Sequence, residues 1–271
     1  MAGAGNQESH TQSGINMKTF RTSLFRNVVF GFLAAASMSM LPAMADTVSV
    51  YTYHNHPPFV VDGGKGLTYD FIDFLNKKSK GNPSFKIEVV SRAQLDKAMA
   101  APDFRGVVAW VNPMWFKDKD RTTYLWSGQV MDDANVILSN AAHKVDYKDP
   151  ASLKGKHFGG IAGHNYAGID ELVSAGAIQR EDADKERSNL RKLEAGRIEV
   201  TLLPRSTANY LLHEMDLTGK LYIAPTPQST YARHVLVPKK SPELLKIINE
   251  AVADMAKDSG WQATLAKYKS K

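Results

Sequence analysis

SLKGKHFGGIAGHNYAGIDEL, residues 152–172, carries Gly159, Gly160, Gly163 and Gly168 within ten residues. KHFGGI reads as a short strand and YAGIDELVSAG as a helix starting near Tyr166. A glycine-rich turn between a strand and a helix can hold an anion on backbone N–H groups. The nucleotide forms of that turn are missing, because neither G-x-G-x-x-G nor a P-loop Lys-Ser/Thr is present. The stretch is therefore read as one strand–turn–helix step of an α/β fold, with a turn that faces some other small solute.

The steps on either side support the same class. TVSVYTY (47–53), FKIEVV (85–90), GVVAWV (106–111), NVILSN (135–140), IEVTLL (198–203), LYIAP (221–225) and HVLVP (234–238) are strand-like. LTYDFIDFLNKKSKG (67–81), AQLDKAMAA (93–101), SNLRKLEAG (188–196), STANYLLHEMD (206–216) and 242–268, broken near Gly260, have helical spacing. This alternation predicts α/β lobes with mainly parallel sheets.

The first 45 residues are expected to lie outside that fold. Met17 opens a segment with Lys18, Arg21 and Arg26, followed by the apolar run from Val28 to Met40 and the small-residue site Ala43-Met44-Ala45. This is the pattern of a cleavable secretory signal, and the apolar run falls short of the roughly 20 residues that span a bilayer. Residues 1–16 are a polar extension ahead of Met17. Cleavage after Ala45 leaves residues 46–271, with 31 Lys and Arg against 27 Asp and Glu, a net charge of +4. No basic block with interleaved aromatics is present, so nucleic acid is not an expected partner. Cysteine is absent, which removes thiolate metal sites, thiol nucleophiles and an N-terminal lipid anchor. The mature chain is expected in the periplasm, free of the membrane.

Five ordered motifs carry a resemblance: PPFVVDGGKGLTYDFIDFLN, DKDRTTYLWSGQV, SLKGKHFGGIAGHNY, KLEAGRIEV and SPELLKIINEAVADMAKDSGWQATLAKY. Together they cover nearly all of 46–271 and resemble the periplasmic solute-binding proteins of amino-acid ABC transporters, solute-binding protein family 3. The resemblance implies a type II two-lobe fold, with lobe 1 at 46–131 plus 226–271, lobe 2 at 132–225 and two hinge strands. It implies a monomer without cofactor that encloses a small solute and delivers it to an ABC permease.

By that resemblance Arg121 holds the solute carboxylate, as planar guanidinium geometry allows. Gly163, His164, Asn165 and Tyr166 close from lobe 2, with helix capping the competing role for Asn165. Tyr53 and His56 end the first strand, and Trp110, Asn112 and Trp115 wall the pocket; core packing is the competing role for the tryptophans. His54 and His56, two apart on an extended segment, point to one side, but with only His164 as a conceivable third ligand no metal site is expected. The ammonium-binding acid of the family is missing, since the matching region reads Leu202-Leu203-Pro204-Arg205-Ser206-Thr207. Asp62 or Asp70 is a conceivable replacement, and Arg205 admits a further carboxylate. The alternative function is an exported lyase or dehydratase on the same scaffold, with His56, His164 or Glu199 as acid–base groups.

Overall fold

The computed structural model describes residues 46–269. The polar extension, the signal segment and the cleavage site at Ala45 lie outside the described residues. In chain order the elements are β1 (Thr47–Thr52), α1 (Leu67–Ser79), β2 (Ser84–Val89), α2 (Arg92–Met99), β3 (Val107–Val111), β4 (Leu125–Trp126), β5 (Met131–Asn140) and β6 (His157–Ile161). Then follow α3 (Asp170–Ser174), β7 (Gln179–Ala183), α4 (Glu186–Glu194), β8 (Val200–Pro204), α5 (Arg205–Glu214), β9 (Leu221–Ile223), β10 (Ser229–Val237), α6 (Pro242–Met255) and α7 (Ser259–Lys269).

Local sequence accounts for most of these. The helical spacing of α1 buries Leu67, Phe71 and Leu75, and the helix stops where Lys80 turns left-handed. A reciprocal cap between Ser91 and Gln94 starts α2. All five residues of β3 are buried, as expected of a strand covered on both faces.

The strands run in the order β2-β1-β3-β10-β5-β8-β6-β7, with β4 on β10 and β9 on β5. β1 pairs in parallel with β2 and β3, and β6 with β7 and β8. The pairings through β5 and β10 are antiparallel. The architecture is thus α/β as expected, but mixed rather than mainly parallel. The mixing arises because β10 serves both groups of strands. Its first part, Ser229–Arg233, pairs with Asn135–Met131 of β5, and its second part pairs with β3 and β4. Sequence reading placed these strands only at 135–140 and 234–238. The missing segments, 131–134 and 229–233, are the polar crossing parts.

The carboxyl ends of β1 and β3 on one side, and of β6, β7 and β8 on the other, lead into the loops named above. In open α/β sheets ligands bind outside these strand ends.

Candidate functional site

The loop after β1 supplies two imidazoles in edge-to-face contact. His54 is buried, and its ring lies 5.3 Å from Phe59 and 5.9 Å from Trp115. His56 is half-buried and sits edge-on to His54 at 5.7 Å and to Phe59 at 5.6 Å. The expectation that both rings share a side is met. Burial lowers the pKa of both rings; Arg233 lowers His54 further, while Glu186 pulls His56 back up. No group of three or more potential metal ligands occurs among the described residues.

Behind the imidazoles is a feature the sequence reading missed. Arg233 of β10 is 1% exposed and ion-paired to Asp133 of β5 at 2.9 Å. Its guanidinium lies 4.5 Å from the Phe59 ring, 5.2 Å from Tyr231 and 5.5 Å from Trp115. Nε and Nη2 donate to Asp133 Oδ2, Nη2 also reaches the Tyr231 hydroxyl, and Nη1 donates to the Trp110 carbonyl. His54 Nε2 lies 3.4 Å from Nη1. Asp133 in turn accepts from the main-chain N–H and the hydroxyl of Ser206 at the start of α5.

A second link joins the two groups of strand ends directly. His56 Nδ1 and Thr207 Oγ1 are 3.1 Å apart. Glu186, at the start of α4, is half-buried and its side chain has no hydrogen bond or ion pair among the described residues, yet it stands close enough to influence both His56 and Tyr166. A cavity of about 580 Å³ lies against Arg205, Ser206, Asp133, Met131, Tyr231 and Tyr268.

The glycine-rich stretch is held from behind by Arg180 of β7. Nη2 donates to the carbonyls of Ile161 and His164, Nη1 to Asp170, and Nε to Asp182. Gly160 leaves room for this arrangement, since a Cβ there would stand 2.4 Å from Asp182 Oδ1 and 2.7 Å from Arg180 Nε. A Cβ on Gly159 would meet Ile198 at 2.3 Å. These two glycines therefore serve packing rather than approach to a solute, which corrects the sequence reading. Gly163 is different: its φ is +78° and a Cβ there would meet nothing within 4 Å, so backbone conformation alone selects glycine.

The predicted contacts divide as follows. Gly163, His164 and Asn165 are exposed on the loop. Asn165 is no helix cap, because α3 begins at Asp170, four residues beyond the expected start. Tyr166 belongs to the core, where its hydroxyl accepts from the Ile161 N–H at 2.8 Å, its ring meets Phe158 at 5.0 Å and burial raises its pKa to about 12. Trp110 is also core: it is fully buried, donates from Nε1 to Thr68 Oγ1 and packs on Phe59 and Phe71. Asn112 caps the short turn Pro113–Phe116 and donates to the Ala232 carbonyl. Tyr53 is half-buried with Arg92 over its ring. Trp115 is half-buried, edge-on to Tyr231 at 5.0 Å.

Arg121 does not join this cluster. It is exposed, its φ is +54°, and its Nη2 lies 3.3 Å from His234 Nε2. Its turn is organised by the buried Asp118, which accepts from the N–H groups of Thr122, Thr123 and Tyr124 and from Trp126 Nε1. Arg205 is half-buried and has no hydrogen-bond or ion-pair partner among the described residues. Asp70, weighed as a replacement acid, accepts instead from the Tyr268 hydroxyl at 2.6 Å.

Strand order, crossing strands and facing loops can be compared with solved structures. An ancestral arginine-binding protein bound to arginine superposes with a TM-score of 0.63 at 19% identity, covering 83% of this chain and 99% of that one. The chain has the type II periplasmic-binding-protein fold. The GluR0 ligand-binding core in complex with L-glutamate shares this fold at a TM-score of 0.60 and 16% identity, over 84% of this chain and 97% of that one. No protein-family model matches the chain. In sequence this type II protein is 25% identical over 216 residues to the L-cystine-binding protein TcyJ of Escherichia coli (strain K12), which covers 79% of each chain. The sequence likeness to an L-cystine-binding protein agrees with the resemblance carried by the five motifs, and the structural likeness agrees with the fold it implies. Among the described residues no helix is long and apolar enough to cross a membrane.

Proposed function

We propose that this chain is a periplasmic solute-binding protein that captures an amino acid or a close relative of one and delivers it to an ABC permease. The observation that carries the reading is the meeting of the two sets of strand ends, bridged by His56 to Thr207. L-cystine-, arginine- and glutamate-binding relatives on this fold support it. Lobe 1 is assigned to 46–131 plus 226–271 and lobe 2 to 132–225, with Met131–Asn135 and Ser229–Arg233 as the hinge strands. Closure about such strands is a hinge motion.

Trp115, Tyr231 and His56 shape the pocket, and Gly163–Asn165 close over it. Arg205, at the cavity and without a side-chain partner among the described residues, is the guanidinium open to a solute carboxylate, and Glu186 is the acid open to its ammonium. The lyase alternative has no observation in its favour. Glu199, one of its acid–base candidates, is tied to Lys156 and to the His157 N–H. The test is calorimetric titration of the purified mature protein with L-cystine, arginine, citrulline, glutamine and glutamate. Saturable binding without turnover supports the reading, and the absence of any binding overturns it.

A further inference from the structure

We propose that Arg233 is a specificity-determining residue: its guanidinium fills the cation cage of the cleft, so the captured solute has a neutral or acidic side chain. This rests on the binding-protein reading and narrows its solute class.

Three aromatic faces around one carboxylate make a site for a cation. Phe59, Trp115 and Tyr231 supply the faces and Asp133 the carboxylate. Cations over such rings are attracted by the ring quadrupole. Here the cage holds a residue of the chain itself, brought in by the crossing strand β10.

The occupancy is complete on both sides. All five guanidinium N–H groups are directed at Asp133, the Tyr231 hydroxyl, the Trp110 carbonyl and His54. Asp133 Oδ2 takes Arg233 and the Ser206 hydroxyl, and Oδ1 takes the N–H groups of Ala134 and Ser206. Neither oxygen is left to receive a solute cation. A second cation beside the cage would face Arg233 without a counter-charge, and an unpaired charge of that kind is costly to desolvate. Glu186, the half-buried acid close to His56, has no ion pair among the described residues, and a zwitterionic solute already requires it for its α-ammonium. Specificity here is a built-in obstacle to the wrong solute rather than an added contact to the right one.

The experiment uses two arms. Calorimetry on the wild-type protein compares the near-isosteric pair citrulline and arginine, within a panel of neutral, acidic and cationic amino acids. The tightest neutral or acidic member is expected to bind at least about 100-fold more strongly than any cationic one, a gap of about 2.7 kcal/mol. Arginine or lysine binding as tightly as the best neutral solute overturns the inference while leaving the binding-protein reading intact. Binding of no amino acid of any charge overturns both.

The second arm empties the cage. Arg233→Ala is expected to gain a saturable rise in melting temperature with millimolar methylguanidinium, whereas wild type and Arg233→Met, whose side chain keeps the cage filled, show none. A folded Arg233→Ala protein that does not respond overturns the inference. Where Arg233→Ala does not fold, the wild-type citrulline–arginine comparison decides alone.

Discussion

His56 and Thr207 are separated by 151 positions in sequence and by 3.1 Å in space. They stand on strand ends belonging to different halves of the sheet, so their contact reports directly on how the two halves meet. Thr207→Val keeps the shape of the side chain and removes the hydroxyl. Solute affinity is expected to fall about five- to tenfold, which corresponds to the roughly 1 kcal/mol of one neutral hydrogen bond. Calorimetry measures it, and unchanged affinity removes this contact from the closed state.

Arg180 holds the carbonyls of Ile161 and His164 with one nitrogen. Arg180→Lys retains the charge but not the fork that reaches acceptors on four residues. It is expected to weaken solute binding about tenfold or more with only a small change in melting temperature. Gly160→Ala is expected to act in the same direction, because its new Cβ displaces the Arg180–Asp182 pair. Titrations of the two variants against wild type are the check, and a large stability loss with intact affinity would show a merely structural role.

The pH dependence of stability near neutrality is expected to come from His54 and His56. Both have folded-state pKa values below the unfolded value of about 6.5. Below that pH the unfolded chain takes up protons that the folded rings refuse. Stability therefore falls as pH drops through about 6.5 towards the folded pKa values, with a slope of up to about 1.4 kcal/mol per pH unit for each ring. Thermal melts between pH 8 and pH 5 test this, and His54→Gln is expected to flatten the curve.

Asp118 acts in the same direction at lower pH. Burial would raise its carboxyl, but the bonds from Trp126, Thr123, Tyr124 and Thr122 outweigh it and bring the pKa to about 2. Its contribution is full above the unfolded value of about 3.9 and is lost as pH falls through about 2. Asp118→Ala leaves several donors of the 118–126 turn without their acceptor and is expected to cost about 3 kcal/mol. Urea unfolding at pH 7 measures that loss, and acid unfolding of the variant should lack the corresponding step.

Much of the fold was legible because it is local. Helical spacing marked α1, α5 and α6, runs of β-branched residues marked β1, β3 and β8, and the alternation of the two types implied an α/β sheet with loops at the strand ends. Those loops, at His54–His56, Asn112–Trp115 and Gly163–Asn165, could be placed from the sequence because strand ends follow from strands. The resemblance placed the lobe boundaries at 131/132 and 225/226, but no local pattern marked Met131–Ala134 and Ser229–Arg233 as strands. Their polar residues break the strand pattern, and they are strands only because each pairs with the other across about 100 positions.

The same distance hid the site's organising charge. YARHVLV shows an arginine in an apolar strand run, but nothing local says that Asp133 waits for it or that Phe59, Trp115 and Tyr231 surround it. Arg121 stood in a recognisable turn, yet tertiary contacts gave that turn to Asp118 and left the arginine exposed against His234. Tyr166 and Trp110 were assigned to the pocket by position and taken into the core by burial. The glycines of residues 152–172 show the division most plainly. The sequence determined that a strand, a turn and a helix follow one another there. Only the packing of Arg180, Asp182 and Ile198 against that strand decided that Gly159 and Gly160 make room for side chains, while Gly163, like Gly155 and Gly168, supplies a positive-φ backbone conformation.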